Sequence, residues 1–229
     1  MTGQVLRLWP AYQRSICTIQ RRKGLKIHRE MPTLPFMGKE DEKKTSGYLE
    51  QQVLIAMPGM VDSNFNRSVT LLCQHDDAGA IGITINRLSD FSLGEILSQL
   101  QIECSDESIQ KMPVLEGGPV APDRGFVIHS PTEGYESSMM VGPDIMVTTS
   151  RDVLTAVAEG NGPEKYIVAL GYAGWGGGQL EGELRQNAWL TVMADCDIVF
   201  DMPLPKRFDG ALGRLGIKVD RLHSEGGHA

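Results

Sequence analysis

No apolar run in this chain approaches the ~20 residues that a membrane-crossing helix needs, so no helical membrane span and no membrane partner is expected. Cysteine is scarce. Cys17, Cys73, Cys104 and Cys196 are scattered without a CxxC pair. That excludes a dense disulfide framework and suits a reducing compartment. The start has no apolar h-region followed by a small-residue cleavage site, as a secretory signal would. Several fingerprints are missing as well. There is no GxSxG elbow, no HExxH and no GxxxxGKS/T. The run Gly174-Trp175-Gly176-Gly177-Gly178 fails to complete GxGxxG because residue 179 is Gln. No repeat of fixed period is present. The sequence therefore calls for no cofactor and no metal.

Charge is unevenly divided. Residues 1–47 carry ten Lys and Arg against four acids, a net +6, whereas residues 48–229 carry twelve against twenty-five, a net −13. These sum to the −7 of the whole chain. A body at −13 repels polyphosphate at long range, so direct DNA binding is not expected. The first 29 residues hold seven basic residues and no acid. Residues 1–47 read as a basic, disordered leader, or as a start placed too far upstream, with Met31 or Met37 the true one. An Arg-rich, acid-free beginning also resembles an organellar transit peptide. Lys39–Ser46 is a solvated linker, and the fold is expected to span residues 48–229.

Within the body, short apolar runs alternate with turn signals. Strands are expected at Gln52–Met57, Ser68–Gln74 and Ala80–Asn86, the last two joined through Asp76-Asp77-Ala78-Gly79 as a hairpin. Ser92 and Glu95 form a capping-box pattern ahead of a helix with Leu93, Ile96, Leu97 and Leu100 on one face. Further strands are expected at Pro113–Glu116, Gly125–His129, Ile145–Thr148, Lys165–Gly171, Ala188–Met193 and Asp197–Phe200. Helices are expected from Ser150 to Glu159, Gly178 to Gln186 and Pro205 to Leu215. Strands in hairpin succession argue against a strictly alternating doubly wound sheet. The fold class is α+β: a single domain with one large, strongly twisted mixed sheet flanked by about four helices.

The segment from Gly171 to Trp189 holds six glycines and two tryptophans in nineteen positions. Glycine allows close backbone approach and positive φ, so this stretch is shaped for a turn, a pocket or a contact. Its candidate ligand- or partner-binding residues are Gly174, Trp175, Gly176, Gly177, Gln179 and Glu181. Gly117, Gly118 and Arg124 join them from a second glycine turn. The competing reading is a tight crossing that packs against Trp175 and Trp189. Cys73 and His75, at i and i+2, share one face of a regular strand; an adjacent imidazole lowers a thiol pKa and makes it reactive. They are the alternative catalytic pair. The competing reading is a small buried hydrophobe beside a histidine at a strand end. His129 and Ser130, adjacent in a strand, point to opposite faces and so do not partner each other.

Taken together, the motifs resemble those of the YqgE/AlgH family of bacterial proteins. They are LIAMPGM at Leu54–Met60, FNRSVTLLCQHDDAGAIGITINR at Phe65–Arg87 and LEGGPVAPDRGFVIHS at Leu115–Ser130. TTSRDVL at Thr148–Leu154, GYAGWGGGQLEGEL at Gly171–Leu184, NAW at Asn187–Trp189 and the ending GGHA at Gly226–Ala229 follow in order. The resemblance covers residues from about Tyr48 onward. It implies a single-domain α+β protein of the bacterial cytosol with no established enzymatic activity. One family name comes from a link to regulation of alginate production. Together with the absence of a complete catalytic set among His75, His129, His223, the cysteines and the serines, it implies a non-enzymatic binding or regulatory protein. Such a protein acts through a protein partner or a small ligand. The alternative is a thiol redox switch or enzyme centred on Cys73.

Overall fold

The computed structural model describes residues 49–60 and 62–217. The leader, His223 and the GGHA ending lie outside the described residues. Ten strands form one connected sheet in the order β10-β1-β2-β3-β9-β6-β8-β7, with β4 and β5 joined to it through β9. The strands are β1 (Gln52–Ala56), β2 (Val69–Asp76), β3 (Gly79–Thr84), β4 (Leu88–Ser92), β5 (Pro113–Glu116), β6 (Val120–His129), β7 (Ser138–Gly142), β8 (Ile145–Thr148), β9 (Tyr166–Gly176) and β10 (Trp189–Met193). The helices are α1 (Leu93–Gln99), α2 (Glu107–Gln110), α3 (Arg151–Ala158), α4 (Gln179–Arg185) and α5 (Leu204–Arg214). All pairings are antiparallel except β5 with β9, so the sheet is mixed. It curls until Gly142, ending β7, lies against the side chain of Gln51, just ahead of β1.

Curling gives the sheet an inside and two covered outer patches. Val53, Ile55, Leu71, Ile83, Phe126 and Ile128 line the inside, closed by Ile198, Val199, Phe208 and Leu212. One outer patch lies under α1 and α3, where Leu93, Leu97, Val153 and Leu154 meet Val127 and Val168. The other lies under α4, where Leu54, Leu72, Ala173 and Trp175 meet Leu180, Phe65 and Trp189. The strand alternation of inward and outward side chains serves both layers. This is why β9 reads as a nearly unbroken apolar run and why β2 is buried on both sides from Val69 to Cys73.

Local chemistry explains the boundaries. The Ser92 hydroxyl accepts the Glu95 amide at 3.4 Å and the Glu95 carboxylate accepts the Ser92 amide at 2.7 Å, a reciprocal cap that starts α1. Strand β9 changes partner midway. Leu170 pairs with Glu116 of β5, while Ala173 pairs with Gly82 of β3. Between them Gly171 takes φ +73°, and the bend lets Gly117 bridge both partners: its amide donates to Leu170 O and its carbonyl accepts from Thr84 N.

Several elements depart from the expectation, among them the one-turn helix α2 between α1 and β5. Asp197–Asp201 is a π-helical turn and not a strand. Ile198 and Val199 are consecutive and both fully buried in one core, which a strand of period two cannot do. The Asp195 carboxylate accepts the Ile198 amide at 2.8 Å and Arg214 holds Asp195 and Asp197, pinning the turn. Strands β4 and β7 were not anticipated, because Leu-Ser-Asp-Phe-Ser and Ser-Met-Met-Val-Gly lack a clean apolar period. The glycine segment is strand through Gly176, so its first part is sheet and not loop.

Two buried cationic or titratable groups depend on local satisfaction. The Arg207 guanidinium is buried, donates to Met202 O at 3.0 Å and to Ile85 O, and burial pushes its pKa down to about 10. His129, fully buried, donates from Nδ1 to Ser130 O at 2.8 Å and accepts the Thr148 hydroxyl at Nε2, 2.7 Å. Its ring thus answers a backbone carbonyl and Thr148, not the Ser130 hydroxyl. Burial lowers the His129 pKa below 6.5, partly offset by the bond to Ser130 O. The unfolded chain therefore binds a proton that the fold refuses. Stability is full above the ordinary imidazole value and falls as the pH drops through the lower folded value. We expect the urea midpoint to fall between pH 7 and pH 5, and the His129→Asn variant to show a shallower fall. Equal slopes for both proteins would contradict this assignment.

Candidate functional site

The candidate residues divide between the two faces of the sheet. On the α4 face, β2 supplies His75, β9 supplies Trp175, β10 supplies Trp189 and α4 supplies Gln179, Glu181 and Glu183. One oxygen of Glu183 accepts both indole N–H groups, at 2.9 Å from Trp175 and 2.8 Å from Trp189. Its other oxygen accepts Gln179 Nε2 at 2.9 Å, and Gln179 Oε1 accepts the Gly176 amide at 3.0 Å. The indoles stand edge to face with centroids 5.9 Å apart, and Phe65 packs on both at 6.3 and 5.4 Å. Edge-to-face packing suits the ring quadrupoles, and each indole has its only donor satisfied.

His75 is buried and spends both ring nitrogens. Nδ1 accepts the Leu49 amide at 3.0 Å, so Nε2 carries the proton and donates to Glu181 Oε1 at 2.9 Å. The Glu181 carboxyl is held below its usual range first by its own backbone amide, then by His75. A base whose two nitrogens are committed in this way has none left to present to a substrate.

Cys73 is not its partner. The β2–β3 register shifts between Leu72 and Gln74, so Cys73 is the extra residue of a bulge. Leu72 and His75 pair with Gly82 and Ala80 on the α4 face, while Cys73 packs into the inner core. The expectation of a shared face fails because the bulge breaks the period of two. Burial pushes the Cys73 thiol up to about 12, the reverse of activation. In the folded protein at pH 7.5 we expect iodoacetamide to label Cys104 and Cys196 at least tenfold faster than Cys73. Comparable rates would restore the thiol reading.

Gly117, Gly118 and Arg124 stand elsewhere. Gly118 lies against the backbone of Tyr172 and Ala173, and Gly117 against Gly171. Arg124 follows the irregular stretch of β6 between Val120 and Gly125, with its guanidinium 5.7 Å from the Phe126 ring. Phe126 and Tyr172 meet edge to face at 5.9 Å on the inner side. Ala173 and Trp175 of the same strand point to the α4 side. The sheet thus separates Arg124 from the α4 residues, and the proposed joint surface resolves into two. Partial burial lowers the Arg124 pKa, opposed by Tyr172 and Asp123.

Two residues carry more of this site than the sequence suggested. Glu183 is not among the candidate binding residues read from the sequence, because nothing in GGGQLEGEL shows that two indoles converge on it. Phe65 lay in a stretch with no periodic signal. Ser108, in α2, and Lys111, which caps its C-terminal end, stand at SxxK spacing, yet Ser108 donates to Asp106 and Lys111 pairs with Glu107, all exposed. Among the described residues no group of three or more His, Cys, Asp or Glu is placed to hold a metal. Among the same residues no helix is long and apolar enough to cross a membrane.

Comparison with known proteins completes the picture. A profile described as AlgH-like matches residues 53–220. A UPF0301 protein of Xanthomonas campestris pv. campestris (strain B100) is 51% identical over 181 residues, covering 79% of this chain and 96% of that one. A UPF0301 protein of Stenotrophomonas maltophilia (strain R551-3) is 49% identical over 180 residues, with the same coverage. The solution structure of the AlgH protein from Pseudomonas aeruginosa superimposes with a TM-score of 0.68 at 45% identity, covering 82% of this chain and all of that one. A crystal structure from Corynebacterium diphtheriae shares the fold alone, at a TM-score of 0.52 and 20% identity over 68% of this chain and 81% of that one. The curled α+β sheet, the motifs and these matches agree, and the chain belongs to the AlgH-like family of bacterial proteins.

Proposed function

We propose that the protein is a non-enzymatic binding protein of the bacterial cytosol, acting through a protein partner or a small ligand. Its recognition surface is the rim formed by Gly176–Gly178, the β2–β3 turn and the outer side of α4. One observation carries this reading. The chemically capable side chains of the region are committed within the fold, His75 to Glu181 and the Leu49 amide, and Glu183 to Gln179 and both indoles, and exposed glycine backbone is left at the rim. A rigid scaffold presenting accessible main chain suits recognition; it does not suit proton transfer, which needs a group free to act.

The test is a blocking substitution that the fold tolerates. A side chain at Gly177 would meet Asp77 O at 2.6 Å, whereas at Gly176 the nearest atom is 3.8 Å away. Gly176→Trp is therefore expected to fold normally. Native mass spectrometry of protein purified gently from its own host should show a bound small molecule or partner on the wild type and a bare Gly176→Trp chain. A bound mass retained by the variant would remove the rim from the reading. A bare wild-type mass would count against a tight ligand or partner altogether.

A further inference from the structure

The sequence has five asparagines, and only Asn161 is followed by glycine. The others precede Phe65, Arg67, Arg87 and Ala188. The backbone nitrogen of a following residue can attack an asparagine side chain. A Cβ on that residue hinders the approach, and glycine leaves it open. The fold leaves this pair open as well. Asn161 is exposed, two residues beyond the Glu159 cap of α3. Among the described residues its side-chain amide holds no hydrogen bond, and the Gly162 amide donates to none. Pro163 disfavours the α region at Gly162, so no helical ladder claims that amide. Asn86, by contrast, is tied at both ends: its Oδ1 accepts the Val69 amide and its Nδ2 donates to Arg67 O, each at 2.8 Å. The one Asp-Gly pair, Asp209-Gly210, lies inside α5, with Asp209 holding Arg67.

We propose that Asn161-Gly162 is a site of spontaneous modification, where the folded protein converts Asn161 to aspartate and isoaspartate and so releases the end of α3. The Gly162 nitrogen gives up its proton and bonds to Asn161 Cγ. The Cγ–Nδ2 bond breaks, ammonia leaves, and a five-membered succinimide remains. Water, the only co-reactant, then opens the ring. Addition at Cγ gives aspartate. Addition at the main-chain carbonyl leaves the chain running through the side chain, as isoaspartate, with one more carbon in the main chain. Packing gives that carbon a consequence. A Cβ at Gly162 would stand 2.7 Å from Val157 Cγ2 and 3.0 Å from Val157 Cα, so Gly162 lies directly on the last turn of α3. The same contact requires glycine here, and so keeps the labile pair. Val157 is buried in the outer patch with Leu93, Leu97 and Val168. The helix end is closed by Gly160 at φ +76°, whose amide donates to Val157 O at 3.0 Å, and by the Asn161 amide, which donates to Ala156 O at 2.8 Å. A longer link between residues 161 and 162 pulls the Ala156 bond and the Val157 contact apart. The aspartate product sets a carboxylate near Glu159 at the negative end of a helix with no basic residue in its last turn. Both products loosen the end of α3.

The test ages the 229-residue chain at pH 8 and 37 °C and follows each asparagine by peptide mass spectrometry, with fragmentation that separates isoaspartate from aspartate. The tryptic peptide 152–165 should gain acid at least about tenfold faster than the peptides carrying Asn64, Asn66, Asn86 or Asn187. Most of the new acid should be isoaspartate. Amide hydrogen exchange in the aged protein should quicken over residues 153–160 and stay unchanged in β1 and β2. Asn161→Gln, whose longer side chain must close a six-membered ring, should stay intact on ageing and keep the exchange pattern of fresh protein. Native protein in which Asn161 reacts no faster than Asn187, or in which it reacts only after unfolding in urea, would overturn the site. Isoaspartate in peptide 152–165 with unchanged exchange over α3 would overturn the release of the helix end.

Discussion

Replacing Glu183 with alanine is expected to lower the unfolding free energy by about 3 kcal/mol. The carboxylate accepts two indole N–H groups and the Gln179 amide. A hydrogen bond to a charged acceptor contributes roughly 1.5–3 kcal/mol, and a buried donor left unanswered costs about 1–3. Trp175 and Trp189 are buried, so alanine leaves two such donors, discounted because Glu183 itself is half-buried and water reaches one side. Glu183→Gln falls between. Its one carbonyl oxygen can answer both indoles, but its NH₂ then faces the NH₂ of Gln179. Turning Gln179 over relieves that clash and breaks its bond to the Gly176 amide. Urea unfolding followed by tryptophan fluorescence reads both variants, since two of the three tryptophans report on this cluster. A loss under ~1 kcal/mol for Glu183→Ala would show that the carboxylate is not the anchor.

The ranking of these effects marks what was legible in the sequence. The hairpin from Val69 to Thr84, the capped helix at Ser92 and the strand at Pro113–Glu116 follow from local chemistry that acts within four residues. The α+β class with a large mixed sheet followed from their order. What stayed hidden depends on pairing across the chain. The bulge at Cys73 is a property of the β2–β3 register, and no residue of β2 announces it. It reverses the side to which His75 points, and with it the thiol hypothesis. The π-turn at Asp197 depends on Arg214, which pairs with Asp195 and Asp197 from α5. The role of Glu183 needs Trp175 and Trp189 to converge from two strands. The glycine run was read correctly as unusual, but its meaning splits. Gly171 sits where β9 changes partner, whereas Gly176–Gly178 are exposed at the rim.

That split can be measured directly. Gly118→Ala is expected to cost more than about 3 kcal/mol and to reduce soluble yield sharply. A Cβ there would stand 2.3 Å from the Tyr172 carbonyl carbon, 2.4 Å from its oxygen and 2.5 Å from the Ala173 nitrogen, at φ +154°. Those atoms belong to a central strand, paired to β6 through Val120 and Tyr172, so they cannot swing aside as a side-chain end would. Overpacking in a close-packed interior costs roughly 1–3 kcal/mol where neighbours can adjust, and backbone strain adds to it. Gly117 and Gly171 interlock at the same point, with ideal Cβ positions 2.2 Å from Gly171 O and 2.4 Å from Gly118 O. Gly59→Ala, with nothing within 4 Å, and Gly176→Ala, nearest atom 3.8 Å, serve as controls and should change stability by under ~1 kcal/mol. A packing role puts the denaturant midpoint of Gly118→Ala far below those of Gly176→Ala and Gly59→Ala. A pure ligand-binding role for Gly117–Gly118 makes the opposite claim: Gly118→Ala folds as well as the controls and loses only the bound partner. The contact distances favour the first outcome, because the atoms in the way are this protein's own backbone.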